Sequence, residues 1–285
     1  MVVQSPSELC RRVYSSVRFR TRRFIGDLLQ ALFFARLAWR RRTLLEGPET
    51  DAVTVITVTW NTLEQLRALV RAIEVFSEPA VHLVVVDNAS SDGTAEFLSE
   101  HPEIEAIRLK RNWGHGLALD VGVQTARTRF FVALDVDAFP ITRDWLERVI
   151  PPLTAGYTLA GAWSSGYIHP CFLAMERQRF LVGKHTFAAS YSRRLRVRRS
   201  GDPKGWDAGK LITLRDSGPH LQIEPTSVRG PGALGTVFGG VVYHHFYSSR
   251  LTGTLTEDVI RSGVTREISH EAWLEAVGKY LPGLS

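Results

Sequence analysis

Cysteine is nearly missing from this chain: of 285 residues only Cys10 and Cys171 carry a thiol, far apart in sequence. That separation makes no metal-ligand spacing, and a reducing, cytoplasmic setting is expected. No signal-peptide pattern comes before the first charges, since Arg11, Arg12, Arg18, Arg20, Arg22 and Arg23 precede any long apolar run. The nearest thing to such a run lies in "RRFIGDLLQALFFARLAWRRR", where Asp27, Gln30 and Arg36 interrupt it. Its apolar stretch of about 16 residues is too short to span a bilayer. Internal repeats and low-complexity segments are also lacking. What remains, at 44% hydrophobic and 22% charged, is an ordinary globular chain long enough for a sizeable core.

The positive charge is confined. Residues 1–50 hold ten arginines against Glu8, Asp27, Glu46 and Glu49, which accounts for the whole net charge of +6. The other 235 residues carry 25 basic and 25 acidic groups. Within this extension Ile25, Leu28, Leu29, Leu32, Phe33 and Trp39 recur at roughly helical spacing between arginine clusters. Residues 22–42 therefore read as a basic amphipathic helix. It could lie on an anionic membrane surface, making the protein peripheral there. It could equally pack on its own domain or in self-association on a second copy. The arginines are not interleaved with a nucleic-acid-binding motif, so no nucleic-acid partner is expected.

After the joint "EGPETDA", strands and helices alternate. "VTVITVTW" and "VHLVVVDN" are β-branched runs, "IEAIRLKRN" is a third strand, and "RFFVALDVD" a fourth. Between them "NTLEQLRALVRAIEVF", capped by Asn61 or Thr62, "SSDGTAEFLSEH" and "HGLALDVGVQTA" read as helices. This spacing predicts an α/β domain with a mostly parallel sheet. Past Pro151 the alternation weakens into short strands ("YTLAGAW", "GTVFGGVVYHH"), a basic loop from Arg193 to Arg199, and a last helix near "SHEAWLEAVGKYL".

Ligands bind beyond the carboxyl ends of the strands in open α/β sheets. Here those ends read "TWN", "DNASSDGT", "KRNWGHG" and "DVD", all polar, small or charged. If the chain is still extended at Asp135, Asp135 and Asp137 point to one face. Two such carboxylates repel unless a cation holds them, and hard Mg²⁺-like ions suit oxygen ligands shared with phosphates. The plainer reading is a loop carboxylate capping a helix near "TRDWLERVI". Asp87, directly after a buried strand, can accept hydrogen bonds from a nucleobase or ribose, or begin an Asx-type turn.

Four segments, "VTVITVTWN", "VVVDNASSDGT", "RNWGHGLALDVGVQTA" and "FFVALDVDAF", resemble in order and spacing the family 2 glycosyltransferases of the GT-A fold. The resemblance covers roughly Val53 to Ile150 and is patchy beyond. After the basic helical extension (1–50) read above, it implies a Rossmann-like nucleotide-sugar-binding half with a mixed, mostly parallel sheet (51–150), and an acceptor-binding, catalytic half (151–285). It implies that Asp87 binds the nucleotide base, with Thr59 and Asn61 lining the same pocket, and that Arg111, Asn112 and Gly116 border nucleotide and sugar. Asp135 and Asp137 resemble the family's DXD motif, Asp137 the more direct ligand of Mn²⁺ or Mg²⁺ and Asp135 facing ribose or metal. One departure is Asp120, where many relatives carry asparagine.

The resemblance further implies a base for the acceptor and support for the leaving diphosphate. The usual "ED" element of inverting relatives is not found; Asp207 in "GWDAGKLI" is the candidate base, beside Trp206, although it could cap the helix that follows. In "VVYHHFYSSR" adjacent histidines point to opposite faces, and His244 is favoured over His245 for the metal, with Ser249 and Arg250 as phosphate partners. His169 could join the acceptor wall. The expected activity is metal-dependent, inverting hexosyl or deoxyhexosyl transfer from a nucleotide-diphosphate sugar to a glycan, lipid-linked or natural-product acceptor. A nucleotidyltransferase would want a glycine-rich, basic loop after the first strand, and "TVTWNTLEQ" has neither. A non-catalytic, membrane-associated binding protein on a degenerate transferase domain is the other alternative.

Overall fold

β1 (Thr50–Thr59), β2 (His82–Asp87), β3 (Glu105–Arg108) and β4 (Thr128–Ala133) alternate with α1 (Leu63–Phe76), α2 (Thr94–Ser99) and α3 (His115–Thr125). The computed structural model describes residues 50–78, 81–188, 208–226, 234–246 and 263–283. The expected helix over residues 22–42, the expected basic loop from Arg193 to Arg199, and Trp206, Asp207, Ser249 and Arg250 lie outside the described residues. The later half supplies β5 (Ala138–Pro140), α4 (Ile150–Thr154), β6 (Leu159–Ser164), β7 (Tyr167–Glu176) and α5 (Arg177–Val182). Then come α6 (Lys210–Arg215), β8 (His220–Ile223), β9 (Gly235–Phe238), β10 (Val242–His245) and α7 (Arg266–Tyr280).

Seven strands form one sheet in the order β3-β2-β1-β4-β7-β6-β8, and β5-β10-β9 form a small second sheet. β1 pairs in parallel with both β2 and β4, β2 with β3, and β6 with β8, while β7 runs antiparallel between β4 and β6. The sheet is mixed and mostly parallel, as expected. Its inner strands, such as β2 and β4, are largely buried on both faces, whereas the edge strands β3 and β8 are part-exposed. Val55, Val85 and Val132 face Leu66, Leu69 and Ile73 of α1 in one core. Ile56, Val84, Val86 and Phe131 face Leu119 and Val123 of α3 in the other. Gly122 lets α3 lie close on the sheet, since a Cβ there would come within 2.3 Å of Ile56 Cγ2.

Three local expectations are corrected. β4 ends at Ala133, four residues short of Asp137, and Asp135 to Ala138 form a turn closed by the Ala138 N–H on the Asp135 carbonyl at 2.9 Å. "TRDWLERVI" is a run of turns rather than a helix, with three-residue closures such as Glu147 N to Asp144 O at 3.0 Å. Helix begins only at Ile150, where Pro151 and Pro152 fit a first turn whose N–H groups are unsatisfied anyway. Thr62 stands at the N-cap of α1 without a side-chain cap bond, and Asp92 Oδ2 instead accepts from the Leu63 N–H at 2.9 Å. Gly209, in a left-handed conformation, occupies the N-cap of α6. Among the described residues no helix is long and apolar enough to cross a membrane.

Candidate functional site

The parallel register brings the strand ends to one edge. Thr59 pairs with Asp87 and Asp87 with Arg108, while Leu134 N donates to Ile56 O at 3.0 Å as the chain leaves β4. The loops there are tied together by short polar side chains. Asn61 Oδ1 accepts from Ser91 N at 2.8 Å, and Ser90 Oγ accepts from Asn61 N at 3.0 Å. Asn88 donates through Nδ2 to Asn112 Oδ1 at 2.9 Å and accepts from Trp113 N at 2.9 Å. Asn61 and Ala89 take positive φ of 53° and 66°, rare for residues with a Cβ, so the backbone here is bent at a cost that helix or strand would not incur.

Asp87 is 1% exposed. Its Oδ1 accepts from Ser90 N at 2.8 Å, the Asx-type turn, whereas the buried Oδ2 has no hydrogen bond and faces only the Arg108 Nε at 3.5 Å. The turn reading of Asp87 is thus seen at Oδ1. Thr59 Oγ1 shares a 2.9 Å hydrogen bond with Thr62 Oγ1, and the Arg111 guanidinium lies 3.8 Å over the Trp113 ring. Gly116 has a packing reason to be glycine: a Cβ would come within 2.3 Å of the Phe187 carbonyl oxygen. Asp120 is fully buried and accepts from Phe187 N at 2.8 Å and from the Thr186 hydroxyl. The Asp120 side chain thus pins residues 186–187 against α3.

The carboxylate pair is met by the second sheet. β10 runs antiparallel to β5 with His244 opposite Ala138, and His245 N donates to the Asp137 carbonyl at 2.8 Å. His244 Nε2 consequently sits 3.7 Å from Asp135 Oδ2 and 3.7 Å from Asp137 Oδ1. One ligand atom from each of Asp135, Asp137 and His244 falls within 4.8 Å of the others. β7 starts beyond the end of β4, since Ala133 pairs with Leu173, and so carries His169 to the same place, Nδ1 3.7 Å from Asp135 Oδ2. His245 turns away into the core, bonded to the Tyr243 hydroxyl at 2.9 Å and Ser269 Oγ at 3.1 Å. Burial pushes its basicity down, against the nearby Asp137 charge, and burial likewise raises Tyr243.

His115 was not singled out by the sequence patterns, yet its Nε2 lies 3.0 Å from Asp135 Oδ1. A histidine in "RNWGHG", directly after the glycine that starts the helix, was the available signal. Burial alone would raise the Asp135 pKa, but the close imidazole of His115, with those of His169 and His244, outweighs it and holds it well below the usual range. The donor set of two carboxylates and one imidazole fits a hard or borderline divalent ion.

The glycosyl transferase family 2 model matches residues 54–212, more than half of the chain. The chain belongs to glycosyl transferase family 2, and its mixed, mostly parallel sheet with flanking helices is the α/β GT-A fold of that family. It is 33% identical over 111 residues to the succinoglycan biosynthesis protein ExoO of Rhizobium meliloti, covering 37% of this chain and 32% of that one. It is 28% identical over 89 residues, 30% of this chain and 35% of the other, to TuaG of Bacillus subtilis, a glycosyltransferase by name assigned to teichuronic acid biosynthesis. The matches span about a third of the length of either relative. Among solved structures it is similar to a mannosyltransferase from Pyrobaculum calidifontis in complex with GDP-Man and Mn²⁺, with a TM-score of 0.45, 16% identity and coverage of 90% and 87% of the two chains.

Proposed function

We propose that this protein is a metal-dependent, inverting glycosyltransferase that moves a hexosyl or deoxyhexosyl group from a nucleotide-diphosphate sugar to an acceptor hydroxyl. The observation that carries this reading is the convergence of Asp135, Asp137 and His244 at the edge where β1, β2 and β4 end. Asp137, Asp135 and His244 would hold Mn²⁺ or Mg²⁺, and such an ion, when bound, neutralises charge on a leaving diphosphate. The chain's own groups would do the rest. Asp87 Oδ2, buried and without a hydrogen bond, would accept from the base, and Thr59 and Asn61 would border it. Arg111, held flat on Trp113, and Asn112 would line the nucleotide, with Gly116 at the sugar end. Arg250 would meet the diphosphate.

Asp207 would take the proton of the acceptor hydroxyl as that oxygen attacks the anomeric carbon from the face opposite the diphosphate. The bond to the diphosphate breaks through a transition state of oxocarbenium character, and the sugar leaves inverted. Residues 51–150 would form the donor half and residues 151–285 the acceptor half. Both sequence relatives have names from polysaccharide biosynthesis, which favours a glycan or lipid-linked acceptor over a natural product. Residues 22–42 would then hold the enzyme near a membrane surface.

A thermal-shift screen of nucleoside diphosphates tests the donor site. One nucleotide with Mn²⁺, at a hundredfold its Kd, should stabilise the fold by about 2.7 kcal/mol, roughly 5 °C or more at this size. No shift from any nucleotide, with or without Mn²⁺, would remove the donor site. A nucleotidyltransferase would instead respond to triphosphates and release pyrophosphate, and a degenerate binding domain would turn over no donor.

A further inference from the structure

We propose that His115 is a positioning residue for the metal carboxylates: it occupies one oxygen of Asp135 so that the other alone faces the ion site. The inference rests on the metal-dependent reading above. Its observation is the division of the Asp135 carboxylate. Oδ1 lies 3.0 Å from His115 Nε2, while Oδ2 lies 3.7 Å from His244 Nε2, which is itself 3.7 Å from Asp137 Oδ1. Without a partner on Oδ1, Asp135 could swing about its terminal torsion or chelate with both oxygens. With His115 in place it offers one oxygen in one direction, leaving coordination positions for diphosphate oxygens.

The ring is carried by a stiff element. His115 is the first residue of α3, and the next residue, Gly116, is in close contact with the backbone of 187–188. One turn on, Asp120 is locked to Phe187 N and Thr186. Immediately before α3, Asn112 and Trp113 are bonded to Asn88, beside the orphaned oxygen of Asp87. The same short segment, 112–116, thus touches the loop behind the base-binding carboxylate and the first metal carboxylate. A ligand that orders one end would order the other, because precise sites need supporting contacts held on rigid elements.

The contact is made through Nε2, so glutamine, whose amide reaches as far, should replace histidine, and asparagine, whose amide stops near Nδ1, should not. The His115 side chain is 38% exposed, so neither change empties the core. Mn²⁺ alone is titrated into the full chain at pH 8, and free Mn²⁺ is read by electron paramagnetic resonance. The wild type should bind, D137N should not, H115N and H115A should bind about tenfold more weakly, and H115Q should fall within about threefold of wild type, the usual scale for a group that orients a ligand. Wild-type affinity in H115N and H115A, with D137N inactive in binding, would overturn the role of His115 and leave the metal site standing. Equal weakening in H115Q and H115N would also overturn it, since the Nε2 contact would not be the cause. A wild type that binds no better than D137N would remove the metal reading itself, and this proposal with it.

Discussion

Asp216 and Asp87 are both carboxylates with 1% of the side chain exposed, and they stand in opposite conditions. Asp216, just after α6, is saturated by its own chain. Its Oδ1 accepts from Arg179 Nε at 2.7 Å, and its Oδ2 accepts from Gly218 N at 3.2 Å and the Thr158 hydroxyl and meets His220 Nε2 at 3.1 Å. Burial would raise its pKa, but Arg179, Thr158 and His220 outweigh that and hold it at about 2. Asp87 has one oxygen filled by Ser90 N and one buried oxygen left without a hydrogen bond. A filled carboxylate ties elements together. Asp87 has fewer ties among the described residues: the Ser90 N–H on Oδ1 and the long 3.5 Å ion pair with Arg108 on Oδ2. The two regions differ in what they join: the Asp216 knot ties α5, α6, β8 and the start of β6, while the strand-end polar groups tie neighbouring loops to one another.

Substitutions should separate these regions. The largest effect is expected at the edge: D137N should cut transfer about 100- to 1000-fold with unchanged circular dichroism, and full turnover in this variant would erase the distinction. D87N should weaken nucleotide binding by about tenfold or more, the scale of a lost charged hydrogen bond. Its urea midpoint should fall less than that of D216N, because Asp87 has one hydrogen bond and one long ion pair where Asp216 has four close contacts; an equal drop would make Asp87 a structural residue like Asp216. D216N should do the reverse, lowering unfolding free energy by about 2 kcal/mol while turnover per folded molecule is retained.

The smallest effect is in pH. Asp216 is held at about 2 in the fold against an ordinary 3.8. Its folded value is the lower one, so its contribution is complete above the unfolded value and is lost as pH falls from about 4 towards 2. Urea midpoints of wild type should therefore fall more steeply than those of D216N across that window. Parallel slopes would mean that the Asp216 bonds are no stronger for the charged form than for the neutral one.

The same contrast explains what was legible in the sequence. β1, β2 and β4 announce themselves because burial on both faces favours runs of β-branched and apolar residues, and α1 because Leu66, Leu69, Val70 and Ile73 recur at helical spacing. The polar strand ends at Asp87 and Asp135 stand out against those runs. Less legible were features set by partners distant in the chain. Asp92 caps α1 from another loop, and the end of β4 at Ala133 is decided by the turn that hands the chain to β5. His244 was separable from His245 only in part, by strand alternation; pairing of β10 with β5 puts one histidine at the carboxylates and the other against Ser269. His115 was invisible because nothing local links it to Asp135, and the link is made by the parallel sheet and the packing of α3 beside it.

The central claim is that the strand-end edge is a metal-dependent donor site, and turnover of the wild-type chain tests it most directly. UDP-, GDP- and dTDP-sugars are offered singly with acceptor glycan, and nucleoside diphosphate release is followed in Mn²⁺, in excess EDTA, and after Mn²⁺ is restored. The account predicts release from one donor class in Mn²⁺, its loss in EDTA, and its return with the metal. Equal release in Mn²⁺ and EDTA would contradict it.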